Sequence, residues 1–228
     1  KFEDRVEKVF KVRDKVEEET GEKKSYLINI TAPAKEMLRR AKLVADHGGE
    51  YVMIDIITVG WAALQTVRDE IEDLGLAIHA HRAMHAAFTR NKKHGITMLV
   101  VAKLARLIGV DQLHTGTVVG KLEASRQEVM EINNFLRSKW YHIKRTFPVS
   151  SGGLHPGIIP DVLNIVGTDV VIQVGGGVMG HPSGPKAGAK AVRDAIDAYL
   201  EGLSLEEKAK ESRELAEALK KWGYMKPV

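Results

Sequence analysis

The chain has 228 residues, a formal net charge of +4 and no cysteine, and 44% of its residues are hydrophobic and 28% charged. The composition is typical of a globular protein, and the lack of cysteine excludes disulfide bonds, thiolate catalysis and cysteine-based zinc sites. Because opposite charges are interspersed, aromatic residues make up only 6% and no apolar run reaches membrane-spanning length, we expect neither a nucleic-acid partner nor a membrane.

Helical and strand-like patterns alternate along the chain. The first twenty residues predict an amphipathic helix that ends at Gly21. Short apolar runs predict six strands, at residues 26–31, 51–57, 76–80, 111–114, 146–151 and 169–173. Helices are predicted after them at residues 33–46, 61–73, 96–108, 124–138, 158–165, 185–201 and 204–224. The last helix opens with a capping box of Ser204 and Glu207.

This alternation predicts an α/β fold with a parallel sheet, because strands such as 51–57 are apolar on both faces. The first strand lacks the glycine-rich turn of a dinucleotide-binding sheet, and the glycines instead follow the last two strands, where barrels bind phosphate. A (β/α)8 TIM-type barrel is therefore favoured over an open doubly wound sheet. Only about six of its eight strands are present, and the first strand–helix–strand is expected to be absent. We divide the chain into a partial barrel, residues 1–203, and a C-terminal helical extension, residues 204–228.

Basic and titratable side chains cluster after the strand at 76–80. They are His79, His81, Arg82 and His85. The C-terminal rim of a barrel is where its chemistry is done, and such a cluster suits an anionic, phosphorylated substrate that exchanges a proton. A structural role stays open for His79 and His85. An H-x-H metal site is the rival interpretation, which Arg82 disfavours because its charge repels a cation.

Three later loops extend this prediction. The strand at 111–114 ends in His114, and a glycine-flanked loop predicted to be mobile leads to Lys121, which could close over an anion. Two glycine-rich turns predict a phosphate site built from backbone N–H groups, at Gly152, Gly153, Gly175, Gly176 and Gly177, and Ser151 offers a hydroxyl at the end of its strand. Anion binders at separate strand ends indicate a bisphosphate substrate. Asp55 and Asp111 are the main carboxylates in strands, and either could simply be buried and hydrogen-bonded.

Four segments together resemble the large subunit of ribulose-bisphosphate carboxylase (Rubisco), in its archaeal form III: HAHRAMHAAFTR, HTGTVVGKLE, SSGGLHPG and QVGGGVMGHPSGP. The resemblance implies that His81 moves a proton at the substrate C3 hydroxyl and that Lys121 stabilises the carboxylated intermediate. It implies substrate or phosphate contacts for Arg82, His114, Ser151, Gly152, Gly153, Gly175 and Gly176. His85 matches a histidine that lies behind the residues touching the substrate.

The resemblance also implies a lyase that fixes carbon dioxide onto ribulose bisphosphate to give two 3-phosphoglycerate, with oxygenase side activity. Members of this family bind Mg²⁺ through a carbamylated lysine, an aspartate and a glutamate that match no residue of this chain. We therefore expect the chain to be inactive alone, cytoplasmic and oligomeric, and to be completed by an N-terminal portion or another copy. The alternatives are a Rubisco-like enolase or isomerase acting on a phosphosugar, and a non-catalytic, self-assembling barrel fragment.

Overall fold

The computed structural model describes residues 1–91, 93–120 and 124–224. Its strands are β1 (Ile28–Asn29), β2 (Tyr51–Asp55), β3 (Ala77–His81), β4 (Gln112–His114), β5 (Phe147–Ser151) and β6 (Val171–Gln173). Its longer helices are α1 (Phe2–Thr20), α2 (Ala34–Asp46), α4 (Trp61–Glu70), α6 (Met98–Ile108), α7 (Arg126–Arg137), α8 (Ile159–Val166), α10 (Gly184–Glu201) and α12 (Arg213–Trp222). Shorter helices are α3 (Ile56–Val59), α5 (Ala86–Thr89), α9 (Gly176–Met179) and α11 (Leu205–Ala209), with 3-10 turns at Glu72–Leu74 and Pro156–Ile158.

The chain forms two compact units. The first unit comprises residues 1–113 and 136–146, and the second comprises residues 114–135 and 147–228. Among the helices of the described residues, none is both long and apolar enough to cross a membrane.

In the first unit, neighbouring parallel strands follow one another in chain order. β2 pairs with β1 and β3, and His79 of β3 pairs with Gln112 of β4. Alternate side chains of β2 and β3 are fully buried, namely Val52, Ile54, Ile78 and Ala80. Helix α4 contacts both α2 and α6, and all three helices bury apolar side chains. The opposite sheet face, with Asp55 and His81, stays partly exposed.

In the second unit, β5 and β6 are parallel, with Val149 paired to Val171. One apolar cluster holds buried residues of α8 together with Val118, Val119 and Leu154. A second cluster joins the other side of α8 to α10, α11 and α12 through buried alanine, leucine and isoleucine side chains. The helices after residue 203 therefore share a core with the helices before it, and the domain boundary at 204 stays a prediction.

The helix predicted at 204–224 is in fact two helices, α11 and α12. The hydroxyl of Ser212 accepts the backbone N–H of Leu215 at 3.1 Å and starts α12. A serine cap favours a new helix start, which explains the break. The predicted capping box is confirmed, since Ser204 accepts from the Glu207 N–H at 3.1 Å and donates its own N–H to the Glu207 carboxylate at 2.8 Å. Gly21 ends α1 with φ of 69°, as predicted.

Candidate functional site

The β2–β3 register brings a carboxylate against the first predicted site histidine. Asp55 and His81 are paired across the strands, and His81 Nδ1 lies 2.8 Å from Asp55 Oδ1. His79, two residues earlier on the same strand face, is 3% exposed, and its Nδ1 lies 2.6 Å from Gln112 Oε1. Burial lowers the pKa of His79, so this imidazole is held neutral. The two histidines lie on one sheet face, but His79 contacts a neutral amide whereas His81 contacts a carboxylate.

Asp111, the other strand carboxylate, has a structural role. Its Oδ2 accepts the backbone N–H of Ile78 at 2.7 Å and lies 3.6 Å from a guanidinium nitrogen of Arg68. These contacts link the start of β4 to β3 and α4. Asp111 therefore stabilises the sheet, whereas Asp55 contacts a candidate catalytic side chain, His81.

A tight turn after β3 carries the remaining predicted residues of the first cluster. The Arg82 carbonyl accepts the N–H of His85 at 3.0 Å, and Met84 between them has φ of 66°, a left-handed conformation that is uncommon for a methionine. His85 Nδ1 lies 2.9 Å from the Thr89 hydroxyl on α5. Both Arg82 and His85 are partly buried. Backbone strain of this kind concentrates at functional sites.

In the second unit, His114 and Ser151 are brought together. His114 is 3% exposed, and its Nδ1 lies 2.9 Å from Ser151 Oγ. Two backbone hydrogen bonds reinforce this contact. The N–H of Thr115 donates to the carbonyl oxygen of Val149 at 3.0 Å, and the N–H of Ser151 donates to the carbonyl oxygen of Gly116 at 3.3 Å. Two residues predicted from separate loops thus form one hydrogen-bonded pair.

The predicted glycine loops are open at their tips. Gly152 and Gly153 are exposed and have φ of 107° and 67°, conformations that side chains other than glycine rarely adopt. A Cβ at Gly175 or Gly176 would meet no atom within 4 Å. Gly177 differs, because a Cβ there would lie 2.7 Å from the Leu154 carbonyl oxygen. The backbone is therefore accessible to a ligand at Gly152, Gly153, Gly175 and Gly176, whereas Gly177 allows the chain to pack closely against Leu154.

The first residues of the loop after β4 are packed against the core, and its predicted mobility stays a prediction. Thr115, Thr117, Val118 and Val119 are each at most 6% exposed, and the two valines belong to the core of the second unit. Apolar β-branched side chains gain free energy by burial, which explains the packing. Lys121 lies outside the described residues, so its predicted role remains an expectation.

The predicted site residues divide between the two units. His81, Arg82 and His85 belong to the first, whereas His114, Ser151, Gly152, Gly153, Gly175 and Gly176 belong to the second. No group of three or more histidine, aspartate or glutamate side chains that could hold a metal ion occurs among the residues that the structure describes. Sequence reasoning missed two polar neighbours of these residues, Asn29 and Gln112. Like Asp55 and the histidines, both are polar residues within short strands, where side chains alternate between the two faces of the sheet, and this pattern is the signal that could have found them.

The sequence is similar to archaeal proteins of one family. A family model described as the ribulose bisphosphate carboxylase large chain, catalytic domain, matches residues 1–222. The protein named ribulose bisphosphate carboxylase in Pyrococcus abyssi is 66% identical over 227 residues, which cover 100% of this chain and 54% of that protein. The protein of the same name in Methanocaldococcus jannaschii is 54% identical, with 97% of this chain and 55% of that protein covered. The chain thus spans about half the length of these relatives.

Solved structures agree in fold. The octameric Rubisco of Pyrococcus horikoshii in complex with sulfate ion has a TM-score of 0.95 at 64% identity, over 98% of this chain and 53% of that one. The dimeric Rubisco of Hyperthermus butylicus has a TM-score of 0.93 at 53% identity, over 98% of this chain and 55% of that one. These similarities confirm the predicted α/β barrel class with six of its strands. The chain belongs to the ribulose bisphosphate carboxylase large-chain family.

Proposed function

We propose that this chain carries the phosphate-binding and proton-transfer part of a ribulose-bisphosphate carboxylase. The reaction adds carbon dioxide to ribulose bisphosphate and yields two 3-phosphoglycerate, with oxygen as a competing co-substrate. The match of residues 1–222 to the catalytic-domain family is the observation that carries this proposal. The paired Asp55 and His81 support it, because a histidine beside a carboxylate is suited to moving a proton.

In this proposal each cluster has a separate task. His81 moves the proton at the substrate C3 hydroxyl, and His85 supports the turn behind it. Arg82 and His114 are phosphate-binding residues, Ser151 contacts substrate hydroxyls, and Lys121 stabilises the carboxylated intermediate. Backbone N–H groups also bind phosphate, at Gly152, Gly153, Gly175 and Gly176. The open space around the last two supports this assignment.

The magnesium ion of the family does not fit the described residues of this chain, which offer no cluster of three suitable side chains. We propose that its ligands come from the half of the relatives that this chain does not match. The ion would stabilise the enediolate as a Lewis acid. Without that half we expect no carboxylation. We also propose a cytoplasmic homo-oligomer, consistent with the octameric and dimeric states of the similar structures.

A chimera tests this function directly. In the chimera, this chain replaces the matching part of the Pyrococcus abyssi relative, and incorporation of labelled carbon dioxide into 3-phosphoglycerate is measured. We expect turnover by the chimera, no turnover by the isolated chain, and loss of turnover in the chimera carrying Arg82→Glu. Conversion of ribulose bisphosphate to an isomer without carbon dioxide uptake would favour a Rubisco-like isomerase. An assembled chimera that leaves the substrate unchanged would favour the non-catalytic alternative.

A further inference from the structure

Asp55 makes a directional contact with one nitrogen of the His81 ring. The two residues are register partners on β2 and β3, and Asp55 Oδ1 lies 2.8 Å from His81 Nδ1. Their side chains are 21% and 36% exposed, so water only partly screens the pair. A carboxylate accepts hydrogen bonds and has none to donate when ionised. Nδ1 therefore carries the hydrogen of the neutral ring, and the lone pair lies on Nε2.

Asn29 holds this carboxylate in place. The backbone N–H of Thr31 donates to Asn29 Oδ1 at 2.9 Å, which assigns the amide oxygen to that side. Asn29 Nδ2 then faces Asp55, 3.5 Å from each carboxylate oxygen. The backbone N–H of Asp55 donates to the Thr31 hydroxyl at 2.9 Å, which anchors the end of β2 against the residues after β1. The carboxylate is thus oriented on both sides before any ligand binds.

The neighbouring histidine provides an internal comparison. His79 also has an acceptor at Nδ1, but this acceptor is the neutral amide oxygen of Gln112. His79 is more deeply buried, and desolvation lowers its pKa. His81 instead has the carboxylate of Asp55 at its Nδ1. Of the two histidines on this face, the one beside Asp55 is therefore suited to accept a proton.

We propose that Asp55, oriented by Asn29, is a positioning residue that keeps the hydrogen of His81 on Nδ1 and makes Nε2 the proton-accepting atom. The inference rests on the proposed role of His81. In the step concerned, Nε2 takes a proton from the substrate, the bonding electron pair stays on the substrate, and the ring becomes an imidazolium beside Asp55. Asp55 takes up no proton in this step and keeps its contact with Nδ1, and Nε2 later returns the proton.

The tautomer of His81 tests the positioning directly, without any turnover. In Asp55→Asn, the Asn29 amide donates to the new amide oxygen, so that the new Nδ2 donates to His81 Nδ1. We expect ¹⁵N NMR of the chain to show Nδ1–H in the parent and a majority of Nε2–H in Asp55→Asn. Asp111→Asn is the matched control, since it changes a strand carboxylate that contacts Ile78 and Arg68 instead, and it should leave the His81 tautomer unchanged. An unchanged tautomer in folded Asp55→Asn would overturn the proposal.

Kinetics of the chimera give the second readout. Asp55→Asn should lower kcat by roughly 100-fold or more with little change in KM, because proton transfer and not binding is impaired. Asn29→Ala keeps the Asp55 carboxylate but removes the amide that orients it. This variant should lower kcat less than Asp55→Asn does, and both tautomers of His81 should be populated. An Asp55→Asn chimera with parental kcat contradicts the inference. If the parental chimera does not carboxylate but the tautomer switches as expected, the proposed function fails while the positioning by Asp55 stands.

Discussion

His114 Nδ1 lies 2.9 Å from Ser151 Oγ, and this hydrogen bond joins the end of β4 to the end of β5 within the second unit. Both residues are predicted to contact the substrate, one through a phosphate and the other through hydroxyls. The contact orders the imidazole before a ligand arrives. Preorganised polar groups bind with a smaller entropic loss than groups that must be ordered on binding.

Replacing Ser151 by alanine should weaken this arrangement. We expect Ser151→Ala to lower the free energy of unfolding by about 1 kcal/mol, since one hydrogen bond to a buried histidine is lost, and to weaken bisphosphate binding. Ser150→Ala is the matched control, because the Ser150 hydroxyl is buried and has no hydrogen-bond partner among the described residues. Urea unfolding and isothermal titration with ribulose bisphosphate measure both effects. Equal losses in the two variants would contradict the prediction.

Anion binding should stabilise the chain. A ligand that binds only the folded state raises the unfolding temperature by mass action. We expect millimolar sulfate or ribulose bisphosphate to raise it, and Arg82→Glu to abolish the rise. Arg5→Glu makes the same charge change on an exposed residue of α1 and should retain the rise. Differential scanning fluorimetry checks this, and an absent rise in the parent would count against a preformed site.

Two adjacent glycines should respond differently to a methyl group. A Cβ at Gly177 would lie 2.7 Å from the Leu154 carbonyl oxygen, whereas a Cβ at Gly176 meets nothing within 4 Å. Gly177→Ala should therefore destabilise the fold by about 1–3 kcal/mol through overpacking. Gly176→Ala should leave stability nearly unchanged and weaken phosphate binding by crowding the ligand. The pair is compared by thermal unfolding and by titration with ribulose bisphosphate. Full ligand affinity in Gly176→Ala would exclude close approach of the phosphate at this position.

Arg106 should be essential for stability in the first unit. Its side chain is 1% exposed and donates to three backbone carbonyls, those of Ser138 at 2.7 Å, Lys144 at 2.9 Å and Ile143 at 3.3 Å. Arg106→Lys keeps the charge but cannot reproduce the planar fork. We expect a loss of about 2–4 kcal/mol in the free energy of unfolding, measured with urea, because the buried side chain at this position loses hydrogen bonds to three backbone carbonyls. Arg193→Lys, on an exposed side chain of α10, should change little.

Acid should destabilise the fold partly through His155. This side chain is 8% exposed, stacks on Trp222 with ring centroids 5.8 Å apart, and has an Nδ1 without a partner among the described residues. Burial lowers its pKa in the folded chain, so the unfolded chain binds the proton more readily. The free energy of unfolding should therefore decrease as the pH falls below about 6.5, by up to about 1.4 kcal/mol per pH unit.

His155→Phe should flatten this dependence. Phenylalanine keeps the stacking on Trp222 and removes both the titration and the unpaired nitrogen. His79, whose pKa is also lowered by burial, accounts for part of the remaining slope. His142→Gln, on an exposed histidine, should leave the slope unchanged. Urea unfolding between pH 5 and 8 measures the slopes, and parental slope in folded His155→Phe would refute the assignment.

Local patterns along the chain were sufficient for much of the fold. Each predicted strand contains an observed strand or overlaps one, because the alternation of apolar runs with helical periodicity is a property of neighbouring residues. The helix stop at Gly21 and the box at Ser204 were also predicted correctly, since caps depend on a few adjacent side chains. The break before α12 was missed, although the cap at Ser212 is local, because the amphipathic pattern runs through it.

Sequence alone thus determined the family, the barrel class and the strand ends at which His81, Arg82, His114 and Ser151 lie. It could not determine which side chains meet, since residues such as Asp55 and His81 are 26 positions apart and touch only through the strand register. Register depends on how all the strands and helices pack, so a shift by one residue would turn Asp55 to the opposite face. Only the tertiary structure shows that Asp111 accepts a backbone N–H and that Asp55 contacts His81. It also shows that the two valines after His114 are buried in the core.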